Sequence, residues 1–309
     1  MAFTNRRAGV LLAILVLAFA CLLAPSPVAA QAGLTKIAAG VYAYADVKNM
    51  SPANSFGANA GVIVGRDGIL VVDTLVSAKE ADRLLKDIRA ISSRPVKYAV
   101  NTHWHLDHAF GNCRFADRGA TIIAHASEKD KLTLQAPAAL DKPQTYGMTA
   151  ADFAGTTIAA PAITFTDRMT IDLGGRRIEL IYIAPSHSPG SILVYLPDQK
   201  ILFTGDVLFT GYHAFAGEGD IDGWLKTLDY ILDMDVALII PGHGPVSSKN
   251  DVIAMKEYLT ILDAKAKELC AASDDVADIT AELLKALPPR AEGAHLVQGN
   301  IVYKYLKKN

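Results

Sequence analysis

NTHWHLDHAFGN, residues 101–112, carries three of the chain's eight histidines and one aspartate within six positions. It follows Val96 to Val100, a run that predicts a buried strand, and leads into a short predicted helix. His103, His105, Asp107 and His108 therefore fall on a loop at a strand end. On an extended or turning loop, residues two apart point the same way. His103 and His105 can thus share one ion while Asp107 and His108 turn toward another. Imidazole and carboxylate are the donors that suit zinc and neighbouring first-row ions. A lone histidine is usually a core or surface residue, but four such donors in six positions point to metal. Trp104, between two of them, points the other way on extended backbone and is expected in the core.

The surrounding pattern sets the fold class. Val41 to Ala45 alternates in the manner of a strand. Gly61 to Val64 and Ile69 to Asp73 flank Gly65-Arg66-Asp67-Gly68, a hairpin signal with Asp-Gly in the turn. Ser77-Ala78-Lys79-Glu80 has the form of a capping box, and Ala81, Leu84, Leu85, Ile88 and Ile91 continue at helical spacing. Further strands are predicted at Thr121 to Ala124, Arg177 to Ala184, Ile192 to Leu196, Ile201 to Thr204 and Ala237 to Ile240. Helices are predicted at Asp222 to Asp233 and from about Asn250 onward, and residues 134–161 are weakly patterned. This alternation predicts an α/β domain in which two sheets are sandwiched between helices. No repeat and no Pro-, Gly- or Ser-rich linker divides the chain, so residues 31–309 read as a single domain ending in helices.

Three later turns add donors. Ala184-Pro185-Ser186-His187-Ser188-Pro189-Gly190, Phe203-Thr204-Gly205-Asp206 and Pro241-Gly242-His243-Gly244 each place a histidine or aspartate just after a predicted strand, where ligand sites gather in α/β sheets. Any one of them could be plain turn chemistry. In the order HWHLDH, SHSPGS, FTGDVLF and PGHG, they resemble the motifs of the metallo-β-lactamase fold superfamily, and Asp73 at the end of ILVVD matches its early aspartate. The resemblance runs from about Gly61 to Gly244. It implies an αββα sandwich of two mixed β-sheets flanked by helices. It also implies that His103, His105 and His187 hold one metal, that Asp107, His108 and His243 hold a second, and that Asp206 bridges them. Asp73 would orient the ligand loop without touching metal.

The implied cofactor is two Zn2+, with iron or manganese as alternatives. The implied chemistry is hydrolysis by a metal-bridging hydroxide that Asp107, the catalytic residue, orients. An amide, ester, lactone or thioester would be cleaved, and β-lactams fall within that range. Classical members have cysteine or serine where this chain has Asp206. FTGDVLF is closer to hydroxyacylglutathione hydrolases (glyoxalase II) and lactonases, so a thioesterase or lactonase is an alternative reading. An iron-dependent oxidoreductase and a non-catalytic metal-binding accessory protein are two more. Ser186 and Ser188 read as turn residues beside a ligand rather than nucleophiles. Tyr212 and His213, shortly after Asp206, are candidate substrate contacts.

The N-terminus supplies a compartment. MAFTNRR is basic, residues 8–24 are apolar, Pro25-Ser26-Pro27 breaks a helix, and Val28-Ala29-Ala30 offers small residues for cleavage. Residues 1–30 read as a secretory signal peptide, with an uncleaved anchor as the competing reading. The expected location is periplasmic or secreted, without stable membrane association once the segment is removed. Removing it takes two arginines and no acids from totals of 30 basic and 32 acidic residues, leaving a net charge of −4. Such a balance offers no basic stripe for nucleic acid, and the expected partner is a small-molecule substrate. Cys113 and Cys270 could pair or remain free thiols.

Overall fold

In a computed structural model, residues 33–306 are described; the expected signal segment lies outside them. Seven strands form the first sheet in sequence order: β1 (Thr35–Ala38), β2 (Val41–Tyr44), β3 (Ala60–Val64), β4 (Ile69–Val72), β5 (Val96–Val100), β6 (Thr121–His125) and β7 (Ile163–Phe165). β1 to β4 run antiparallel and β4 to β7 parallel. The second sheet has the order β12 (Leu238–His243), β11 (Ile201–Phe209), β10 (Leu193–Leu196), β9 (Arg177–Ile181) and β8 (Arg168–Asp172). Only its β11–β12 pair is parallel. Both sheets are therefore mixed, as the α/β sandwich expectation required.

The alternation of strand side chains builds the layers. In β4, Ile69 and Val71 face a core shared with α1 (Ala78–Ile91), while Leu70 and Val72 face the second sheet. β11 and β12 do the same on the other side: Leu202 and Ile239 join Trp224, Leu228, Leu259 and Leu262, while Phe203 and Ile240 join Ile63, Val100 and Leu180 between the sheets. A strand buried on both faces must be continuously apolar, which ILVV of β4 and the buried pair Ile239 and Ile240 of β12 are. Each such side chain contributes about 1.5–3 kcal/mol by leaving water. The outer helical layer on this side is α5 (Ile221–Asp233), α6 (Lys249–Ala272) and α7 (Val276–Ala286), followed by the short α8 (Ala294–Asn300). On the other side, α1 is followed by α2 (Leu106–Ala109), α3 (Asn112–Ala116) and α4 (Ala126–Asp141).

Several local expectations shift. Ser77 caps α1 by accepting from the Glu80 amide, but Glu80 turns to Arg83 rather than back to the cap, so the box is one-sided. The stretch read as weakly patterned from residue 134 begins inside α4, which carries Pro137 within it. β7 and β8 were not anticipated, because β7 is three residues long and β8 is mostly exposed. The strand expected to end at Thr204 continues as β11 to Phe209, through a break in register at Gly205. Cys113 and Cys270 are free thiols.

Candidate metal centre

The two asparagines that bracket NTHWHLDHAFGN fold it into a closed loop. Asn101 and Asn112 exchange side-chain hydrogen bonds of 2.8 and 2.9 Å, and Thr74 Oγ1 donates to Asn112 Oδ1 at 2.9 Å. The Thr74 amide donates to the His108 carbonyl at 2.8 Å. All three side chains are buried. The loop is thus held by polar groups satisfied inside the protein, which fixes where its imidazoles point.

Two clusters of donors result. His103, His105, His187 and Asp206 present one ligand atom each within 4.8 Å of one another, and so do Asp107, His108 and His243. Asp206 stands between them with one oxygen for each. Its Oδ2 is 3.7 Å from His103 Nε2 and 3.3 Å from His187 Nε2, and its Oδ1 is 3.1 Å from His108 Nε2 and 3.5 Å from His243 Nε2. Asp107 Oδ2 lies 3.3 Å from His243 Nε2 and 3.6 Å from His108 Nε2. His105 turns Nδ1 toward His187 Nε2, 2.7 Å away. The seven residues named from the sequence are therefore gathered into one centre, in the two groups that the resemblance implied. Asp206 and His243 lie within β11 and β12 rather than just beyond them.

Two glycines make this approach feasible. Gly205 has φ of +49°, and a Cβ there would sit 2.3 Å from Thr102 Oγ1; a Cβ on Gly242 would sit 1.9 Å from Asp206 Oδ1. TGD and PGHG are thus sites where backbone must pass close to the donors. Asp73, itself at positive φ, takes the Thr102 amide on Oδ1, and Thr102 Oγ1 and His108 Nδ1 on Oδ2, each at 2.8–2.9 Å. It aims Nε2 of His108 into the centre and touches neither donor cluster otherwise. His187 is oriented in the same way by donating from Nδ1 to the Phe215 carbonyl at 3.0 Å.

The electrostatics divide the histidines. Burial holds His103 well below its usual range, lowers His105 and pushes His187 down to about 3. These three are neutral imidazoles with a free lone pair at neutral pH. Burial also acts to lower His108 and His243, but Asp206 and Asp107 outweigh it, holding His108 well above its usual range and pushing His243 up to about 9. Burial would raise both carboxylates, yet His108 and His243 hold Asp206 well below and Asp107 below the usual range. His103 Nε2, His108 Nε2 and Asp206 Oδ1 are buried without a hydrogen-bond partner. Orphaned polar atoms converging on one point fit a metal pair, because ligation supplies the partner that the protein withholds.

Other expectations resolve differently. Tyr212 and His213, the candidate substrate contacts, are buried and engaged within the protein: Tyr212 Oη donates to the Val47 carbonyl, and His213 Nδ1 is 3.1 Å from Tyr258 Oη. The segment passes behind the centre, with the Tyr212 ring against His243, so neither side chain is free to meet a substrate. Trp104 packs with Val76, Phe110 and Phe153, and Ser188 hydrogen-bonds within its turn. Two groups were not found by sequence reasoning. Glu218 approaches His105 Nε2 at 3.9 Å and Lys131 Nζ at 3.5 Å. Glu128, in the first turn of α4, is buried and accepts from the Trp104 amide, the Ser188 hydroxyl and the Gly190 amide. An isolated Glu near a helix start ordinarily reads as a favourable charge at the helix dipole.

Comparison with known proteins agrees with this geometry. The family model described as the metallo-β-lactamase superfamily matches residues 54–243. A linear primary-alkylsulfatase of a Pseudomonas strain is 26% identical over 62% of this chain and 42% of its own length. A type 2 metallo-β-lactamase of Bacteroides fragilis is 22% identical over 68% of this chain and 78% of its own. Among solved structures, the inverting sec-alkylsulfatase Pisa1 from Pseudomonas sp. superposes with a TM-score of 0.65 at 18% identity, over 90% of this chain and 51% of that one. The chain thus spans about half the length of the alkylsulfatases it matches, and the structural likeness concerns the fold. With a family model covering more than half of its residues, the chain belongs to the metallo-β-lactamase superfamily.

Proposed function

We propose that the protein is an exported, metal-dependent hydrolase with two ions in its centre, acting on an amide, ester, lactone or thioester. One observation carries the reading: Asp206 offers Oδ2 to one group of histidines and Oδ1 to the other, the arrangement a shared pair of cations needs. His103, His105 and His187 would hold one ion, Asp107, His108 and His243 the other, and Asp206 both. Zinc suits this donor set, with iron and manganese as alternatives. Bound there, two divalent ions supply Lewis acidity to a substrate carbonyl and lower the pKa of a water.

The chain's own residues do the rest. Asp107 is the more open of the two carboxylates, its side chain 15% exposed against 5% for Asp206. As a metal-held carboxylate it would accept a hydrogen bond from the attacking water and aim it. Asp73 and the Phe215 carbonyl hold the ring proton on Nδ1 of neutral His108 and His187, so that Nε2 carries the lone pair a metal would take in each. The signal-like residues 1–30 support a periplasmic or secreted location, and with it a small-molecule substrate met outside the cytoplasm.

A second reading, alkyl sulfate hydrolysis, is favoured by the 26% identity to the Pseudomonas alkylsulfatase. Both readings are tested by assaying purified protein on esters, thioesters, lactones, alkyl sulfates and a chromogenic cephalosporin, with metal content measured in parallel. Turnover of one class with two metal equivalents supports the proposal. Bound iron with oxygen uptake would point to an oxidoreductase, and full metal with no turnover to an accessory role; either overturns it.

A further inference from the structure

Glu128 is buried, lies 20 residues after His108, the last donor of the opening loop, and plays no part in the chemistry assigned above, yet it joins the two segments that carry the first donor cluster. Its Oε2 accepts from the amide of Trp104, the residue between His103 and His105, at 2.8 Å. Its Oε1 accepts from Ser188 Oγ, next to His187, at 2.9 Å, and from the Gly190 amide at 2.5 Å. Ser188 Oγ is in turn 2.7 Å from Ser191 Oγ, and Ser191 Oγ accepts from the Ser188 amide at 3.0 Å. One carboxylate thus holds three donors, two of them backbone amides, across loops more than 80 residues apart in sequence. Asp73 braces His108 of the second cluster and, through Thr102, His103 of the first, but does not reach His187. No hydrogen bond runs from Glu128 to Asp107, His108 or His243.

We propose that Glu128 is the positioning residue of the first metal cluster, a clasp that sets the spacing of His103 and His105 against His187 and so governs affinity for one of the two ions. The inference rests on the two-ion reading of the centre but not on the identity of the substrate. The chemistry explains why a carboxylate is used. Two acceptor oxygens with no donor can satisfy three converging N–H and O–H groups. A glutamine has one acceptor oxygen and an NH2, so in either orientation its NH2 faces a donor. If its oxygen replaces Oε1, the Ser188 and Gly190 bonds persist and the Trp104 amide meets another donor. Burial pushes the Glu128 carboxyl up to about 7 against these three bonds, the cost of keeping such a group inside.

The test is zinc titration of metal-free, full-length protein against a chelating indicator, comparing wild type with Glu128→Gln, and with His187→Ala and His243→Ala to mark the two clusters. Wild type should show two sites. Glu128→Gln should weaken the site lost in His187→Ala by about 10–100-fold and leave the site lost in His243→Ala unchanged. Raising free zinc should restore turnover in Glu128→Gln, as expected if the side chain positions ligands and does not touch substrate. Equal weakening of both sites, or no weakening, would overturn the proposal. If Glu128→Gln fails to fold, as judged by circular dichroism of the metal-free protein, Ser188→Ala decides: selective weakening of the same site supports the clasp, and unchanged binding refutes it. A failure of the hydrolase panel would leave this result standing, and hydrolysis without a selective zinc effect would sink the clasp alone.

Discussion

Replacing Gly205 by alanine tests whether the centre is built as described, with β11 bent against the opening loop. At φ of +49°, an L-residue costs roughly 1–2 kcal/mol. The added methyl would lie 2.3 Å from Thr102 Oγ1 and 2.5 Å from Thr102 Cβ, both far inside contact distance. Thr102 cannot swing aside freely, because its amide and hydroxyl are each bonded to Asp73 at 2.8 Å. Forcing an extra methyl into a packed site costs about 1–3 kcal/mol. The sum is roughly 2–5 kcal/mol, which at about 2–4 °C per kcal/mol for a chain of this size lowers Tm by on the order of 4–20 °C. Thermal and urea unfolding of the metal-free protein would measure it. Because Thr102 Oγ1 is 3.0 Å from His103 Nδ1, zinc affinity should fall as well. A loss below about 1 kcal/mol with unchanged zinc binding would refute this geometry, since ordinary surface changes stay within about 0.5 kcal/mol.

Further predictions follow from individual groups. Asp107→Asn should retain most of the metal and lower kcat by orders of magnitude; retained full activity would show that the water is aimed by another group. Tyr212→Phe should reduce stability by about 1 kcal/mol through loss of its bond to Val47 and leave kcat and KM unchanged, because the side chain is buried behind the centre. The metal-free protein should be most stable near pH 6.5. His187, pushed down to about 3 by burial, contributes stability that is present above 6.5 and lost as pH falls toward 3. His243, raised to about 9 by Asp206 and Asp107 against burial, contributes stability that is present below 6.5 and lost as pH rises through 9. Urea unfolding at several pH values would show the maximum; a monotonic profile would contradict the assignment.

How far the sequence foretold this centre depends on the distance over which each residue acts. His103, His105, Asp107 and His108 announce themselves because four donors fall within six positions, and ILVV declares a strand buried on both faces, whereas VKYAV, read as buried, is covered only toward its end at Ala99 and Val100. The grouping of His187, Asp206 and His243 with them came through resemblance, since no local rule brings residues so far apart together. Position within a strand was misjudged for Asp206 because TGD looks like a turn; the register break at Gly205 lets the strand bend and continue. Helix α4 escaped notice because Pro137 and polar residues obscure its period, and β7 and β8 because edge strands carry little apolar alternation. Tyr212 and His213 were placed near the cleft by proximity to Asp206, whereas tertiary packing against Val47 and Tyr258 turns both inward. Glu128 had no signal at all: its three partners come from two distant loops.

The central claim is that Asp206 joins two donor clusters into one working pair. Its most direct test is to add zinc stepwise to metal-free protein while following hydrolysis of whichever panel substrate is turned over. Activity should rise to a plateau at two equivalents per chain and vanish in Asp206→Ala together with tight binding of both ions. Full activity at one equivalent, or an Asp206→Ala protein that still binds two ions tightly and turns over substrate, would contradict it.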